Sequence, residues 1–191
     1  MLLFIMNKIK MLVLLIAGLI LSSSSCDRER DESLDDKLSL EKIDYKGTEL
    51  RIDGYYRRYN YVDKETVPRS VTPLILYRNG VILGDVGVPI DRTTQMEEWF
   101  KNGFYVSNSK KYQWGVFQIN GNLIKYEKWA PVQGTLLAAT YEGVILNDTT
   151  FVINKSYRAM DAGKKAPSEL NWEYHFKQIS PKPDSTNRFI L

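Results

Sequence analysis

The chain is short of the residues on which most metal and nucleophile chemistry depends. Of its 191 residues one is cysteine, Cys26, and one is histidine, His175. A single cysteine excludes an internal disulfide framework, and with one histidine neither the usual nitrogen and sulfur ligand sets nor a cysteine–histidine pair of free side chains is expected. No Gly-x-Ser-x-Gly elbow is present to expose a serine, and His175 stands in a strand-like alternation, where a solitary histidine is more often a surface or packing residue than a base. The twelve glycines fall mostly at turns or singly in strands, so no glycine-rich loop is set to cradle phosphate. No cofactor and no metal are expected. Carboxylates remain: Glu97 with Glu98, or Glu127 with Glu142 and Glu173, could do acid–base work on a sugar, although solvated strand faces explain them at least as well.

Long apolar runs are also missing beyond the N-terminus. There, an apolar stretch at 1–6 precedes Asn7-Lys8-Ile9-Lys10, an apolar run at 11–21, four serines and Cys26. The run at 11–21 would rise only ~16 Å as a helix, against a hydrocarbon core of roughly 30 Å, so a cleaved export signal fits better than a membrane span. Translation from Met6 would give a more ordinary basic start than translation from Met1. The segment 21–26, Leu-Ser-Ser-Ser-Ser-Cys, resembles the lipobox of bacterial lipoproteins, whose cysteine is acylated on its thiol and becomes the new N-terminus. The resemblance implies a lipid on Cys26 and anchoring to a membrane of the cell envelope, most simply the outer membrane. The usual aliphatic residue three before the cysteine is replaced by Ser23, so cleavage after Ser25 that leaves a free thiol stays open.

Residues 27–44 carry eight acids against four bases. So charged a stretch buries too little to offset its ordering entropy, and 26–45 reads as an anchor and solvated tether, with a short amphipathic helix at 34–43 as an option. Loss of Lys8 and Lys10 with the signal takes the formal charge of +3 to +1, and setting the tether aside leaves +5 on the remainder. The basic residues there are scattered, which argues against a nucleic-acid surface. Residues 46–191 are enough for one domain with a sizeable core.

That domain is dense in strand signals. Residues 48–59 alternate Leu50 and Ile52 with Arg51 and Asp53. Apolar runs at 73–78 and 81–86 flank Asn79-Gly80, the pair preferred where a two-residue turn needs positive φ at both positions. Runs at 112–119 and 123–129 flank Asn120-Gly121-Asn122, runs at 136–146 and 149–153 flank Asn147-Asp148, and 170–179 is a closing strand with Trp172, Tyr174 and Phe176 on one face. One helix is predicted near 94–102, from the capping box Thr94-Gln95-Met96-Glu97, the shared face of Met96, Trp99 and Phe100, and Gly103 as its stop. The expected class is therefore all-β in the main, about eight antiparallel strands in a meandering barrel or bent sheet, with a two-sheet sandwich as the alternative. Gly54-Tyr55-Tyr56 followed by consecutive hairpins resembles the lipocalin-type barrels, whose first strand carries Gly-x-Trp; Tyr56 stands where that tryptophan would be.

Twelve tyrosines and four tryptophans are the most suggestive content. Strand alternation places Tyr55, Tyr59 and Tyr61 on one side. With Trp114 and Trp129 they are the candidate ligand-binding residues, because aromatic faces stack on sugars or line apolar pockets. Filling and rimming a β core is the competing role. The expected function is a non-catalytic binding module for a small apolar ligand or a glycan, with a structural or accessory subunit of an envelope complex as the alternative and an enzyme third.

Overall fold

The computed structural model describes residues 35–62, 66–84 and 87–190. Cys26 and the lipobox-like segment lie outside the described residues. Among the described residues nine strands form one antiparallel sheet: β1 (Gly54–Asn60), β2 (Ser70–Leu76), β3 (Val81–Gly84), β4 (Val88–Pro89), β5 (Trp114–Asn120), β6 (Leu123–Val132), β7 (Thr135–Asn147), β8 (Thr150–Arg158) and β9 (Ser168–Gln178). β1 pairs with β2 through Tyr56↔Leu74 and with β9 through Tyr56↔Phe176, so eight strands close into a barrel and β4 pairs outside the ring with β2. Closure removes the sandwich alternative and leaves the ring no unpaired edge.

The side-chain period of two then sorts the sequence into an inside and an outside. Cross-strand partners Tyr56, Leu74, Leu76, Ile82, Phe117, Ile124, Tyr126, Phe151, Ile153 and Tyr174 form the interior core, joined by Trp172 and Phe176 from the expected face of the closing strand. A second core lies on the outer surface. Tyr55, Ile75, Val81, Leu83 and Trp114 pack there under Met96 and Phe100 of helix α1 (Thr93–Lys101), Tyr105 of the short helix α2 (Phe104–Ser107), and the C-terminal Ile179, Phe189 and Ile190.

Turn chemistry explains the hairpins, with one correction. Tyr77 and Val81 still face each other across Arg78-Asn79-Gly80: Gly80 donates its N–H to Tyr77 O (3.1 Å) and Tyr77 donates to Val81 O (3.0 Å). Only Gly80 has positive φ (+76°), so this is a three-residue loop ending in a left-handed glycine, not the expected two-residue turn with both residues left-handed. Gly121 (φ +60°) and Asn122 make a two-residue turn with glycine first, and a fourth hairpin turns on Gln133 (φ 47°) and Gly134 (φ 87°).

Two other boundaries move. The strand expected from residue 48 begins at Gly54, because Leu50 and Ile52 turn inward with Tyr45 to plug one end of the barrel; Leu50 N donates to Tyr45 Oη at 2.8 Å. The helix starts at Thr93 after a tight turn at 90–92 and has no side-chain cap bond. Glu97, the expected partner in a capping box, instead accepts from Tyr55 Oη (2.6 Å) and Lys177 Nζ (2.5 Å), which pins α1 to β1 and β9. Gly103 (φ +75°) follows the helix as its stop.

Residues 35–45, read from composition as tether, are docked, and none of them is helical. Asp36 N donates to Leu136 O (2.9 Å), and Trp129 Nε1 donates to Asp36 O (2.8 Å). Asp35 Oδ1 accepts from Leu136 N (2.9 Å), and further along Tyr45 N donates to Arg78 O (2.7 Å). The segment thus straps the outer wall from the open end of the barrel to the plugged end.

Candidate functional site

At the unplugged end the barrel interior is not filled. A cavity of about 200 Å3 opens there, walled by Tyr126, Tyr141, Trp172 and Tyr174, with Arg58, Lys128 and Thr72 beside them. Each comes from an inward position of its strand: Arg58 lies opposite Thr72, Tyr126 opposite Tyr141, and Lys128 two residues beyond Tyr126. The next interior residues, Tyr56, Ile124 and Phe151, belong to the packed core, so the cavity is a shallow cup and not a channel.

Its walls are rings in contact. Tyr126 and Tyr141 stack with centroids 4.7 Å apart, and Tyr141 and Trp172 stack at 5.7 Å. Burial raises the pKa of Tyr126, Tyr141 and Tyr174, so all three are neutral phenols. Arg58 is the chemically distinctive member. Its guanidinium lies 3.8 Å over the Trp172 ring and donates to Thr72 Oγ1 at 3.3 Å, while Nε is buried with no hydrogen-bond partner. Among the described residues no carboxylate lines the cup. A buried donor left unpaired costs about 1–3 kcal/mol, and more for a charged group, and an anion in the cup would balance the charge of this guanidinium.

A second depression of about 480 Å3 begins where the cup ends and shares Arg58 and Trp172 with it. It runs onto the outer rim along Tyr59, Asn60, Tyr61, Asn171, Glu173 and His175.

The aromatic residues singled out from the sequence are dispersed. Tyr55 and Trp114 are fully buried in the outer core, Trp129 is buried with an edge on the cup, and Tyr59 and Tyr61 lie in the rim groove. The residues that build the cup were legible in one respect: Arg58 is two residues from the inward Tyr56, so strand alternation puts a cation on the interior face, a placement that composition alone does not flag.

The carboxylates have separate employments. Glu97 is held by Tyr55 and Lys177; burial alone would raise its pKa, but these donors outweigh it and keep the carboxyl below the ordinary glutamate range. Tyr157 and then Lys125 do the same for Glu142 against its partial burial. Glu127 is fully buried and clasps the strap, accepting from Ser39 N (3.0 Å) and Leu40 N (2.6 Å). His175 and Glu173 sit 3.4 Å apart and half-exposed in the groove. No cluster of three potential metal ligands occurs among the described residues. Comparison with protein-family models, curated proteins and solved structures gives no match to this chain.

Proposed function

We propose that this is a lipid-anchored cell-envelope binding protein that takes a small, ring-sized anion in the cup at the open end of its barrel. The observation that carries the reading is Arg58: an inward-facing guanidinium with a buried, unpartnered Nε, flanked by stacked aromatic walls and by no carboxylate among the described residues. The aromatic and hydroxyl-bearing walls suit a small ring-sized ligand, and the cation suits a carboxylate on it. Sugar acids and aromatic carboxylates meet both conditions.

Size separates this ligand from the apolar alternatives. Pockets for drug-sized molecules run from roughly 300 to 1,000 Å3, whereas the cup holds about 200 Å3 and ends on the packed core. An extended acyl chain or a haem would have to displace the packed core beneath it. In an eight-stranded barrel the interior is just wide enough to be filled by side chains or to hold one small ligand, and this one divides its length between the two.

The test is calorimetric titration and thermal shift of the purified protein with uronic acids and benzoate, against neutral hexoses, fatty acid and haem at matched ionic strength. Anions are expected to bind, and Arg58→Met to weaken them at least tenfold, in line with the ~1.5–3 kcal/mol of a hydrogen bond to a charged group. Equal binding by the variant, or preference for the fatty acid or haem, would overturn the assignment.

A further inference from the structure

We infer that the rim groove is a chain-extension site, so that the ligand is a linear oligosaccharide whose terminal sugar is a uronic acid that enters the cup and whose following, neutral sugars lie along Tyr59 and Tyr61. The inference rests on the cup being the anion site proposed above.

Continuity is the first argument. Cup and groove share Arg58 and Trp172, and the groove, at about 480 Å3, is more than twice the size of the cup at about 200 Å3. A ligand seated against Arg58 therefore has a walled path onto the surface.

The groove's chemistry selects the occupant. Tyr59 and Tyr61 offer rings for the C–H faces of sugars, and Tyr61 is 53% exposed. Between the rings stand hydroxyl-binding groups: the amides of Asn60 and Asn171, and the Glu173–His175 pair. Asn60 is held in place by Nδ2, which donates to Ser70 Oγ and Thr72 Oγ1, each at 3.0 Å, and it presents Oδ1 as an acceptor. Interleaved rings, amides and a carboxylate match the alternating apolar and hydroxyl faces of a sugar chain.

Other polymers fit worse. An acyl chain would leave these amides and the carboxylate desolvated without partners. An extended peptide needs an open strand edge, and β1 is paired on both sides, with β2 and with β9. A nucleic acid needs successive cations for its phosphates, whereas the described residues lining the groove beyond Arg58 include Glu173 and no lysine or second arginine.

The experiment compares galacturonate, mannuronate and glucuronate, each as the monomer and as the terminal residue of a linear trimer whose other two sugars are neutral, by calorimetry on the full chain in detergent. At least one trimer should bind tenfold or more tighter than its monomer. Tyr61→Ala and Asn171→Ala should each remove most of that gain while leaving monomer affinity unchanged, and Arg58→Met should weaken monomer and trimer together. A monomer that binds through Arg58 with no gain on extension, or a gain indifferent to both groove variants, overturns the groove and leaves the cup standing. If benzoate binds and none of the uronates does, the groove falls and the cup stands; if neither benzoate nor any uronate binds, cup and groove fall together.

Discussion

Two glycines at hairpin tips show how much the surroundings of one residue matter. Gly80 and Gly121 both have positive φ, but a Cβ on Gly80 would sit 2.2 Å from the backbone oxygen of Ile43, whereas one on Gly121 would meet nothing within 4 Å. Gly121→Val should therefore cost the left-handed conformation alone, about 1–2 kcal/mol or somewhat more for a branched side chain. Gly80→Val should cost clearly more, since the strap must also move away. Denaturation midpoints of the two variants check the order, and equal shifts would contradict it. Lys182 gives a second test at this scale. It donates to Ile52 O and Leu76 O, both at 2.5 Å, and lies 4.5 Å from the Tyr77 ring centroid. Burial, aided by the charge of Arg78 and opposed by Asp53, lowers its pKa from 10.5 to about 8. Between those values the unfolded chain binds the proton and the folded chain does not, so this group makes stability rise with pH across that window. Lys182→Met should remove the rise, seen as a difference between wild-type and variant midpoints from pH 8 to 10. Above pH 10 the buried tyrosines, whose pKa values are raised in the fold, oppose it.

Among the elements, the strap at 35–45 departs most from what composition implies. Its acids suggest solvation, yet Asp35 and Asp36 accept from the backbone of Leu136 and Ala138, and Glu127 accepts from the strap in return. Composition records how many carboxylates a segment has and not which buried N–H groups they satisfy. Glu127→Gln keeps the shape but loses the charge-assisted bonds, at roughly 1.5–3 kcal/mol. The expected outcome is faster tryptic cleavage after Lys37 and Lys42 with the barrel itself still resistant. Unchanged cleavage would mean that the clasp is not what holds the strap. The hairpins at 79–80, 120–122 and 147–148 were legible because turn chemistry is local. The turn at Gln133-Gly134 was not, since glutamine carries no preference for the positive φ it adopts there. The aromatic candidates scattered for a related reason: alternation puts Tyr55 and Trp114 on a common side of the sheet, but only the positions of α1 and the C-terminal residues reveal that this side is covered.

For the whole molecule, the barrel wall separates two cores. The interior is built from alternate residues of eight strands, and the outer core recruits α1, α2, the strap and the C-terminal residues. Barrel closure was expected from the hairpin order and the sandwich was the alternative; pairing of the first strand with the last, which no local pattern encodes, decides between them. The proposed anchor is tested at this scale. Cys26→Ser should release the protein from the membrane fraction, because an acyl chain supplies about 0.8 kcal/mol per buried methylene. Retention in washed membranes would refute a lipid at that position.

The strap also fixes the order in which the protein gives way to tension. Among the described residues, a pull from the N-terminal side loads the hydrogen bonds made by Asp35, Asp36 and the Glu127 carboxylate before those of the plug at Tyr45 and Leu50. The ring behind them has no free end strand to peel, since β1 is held on both sides. Residues 35–44 can therefore pay out roughly 35 Å of chain, at ~3.3–3.6 Å per residue, before the pull meets Tyr45 and Leu50 in the plug. The clasp acts as a mechanical fuse, and Glu127 sets the force at which it blows.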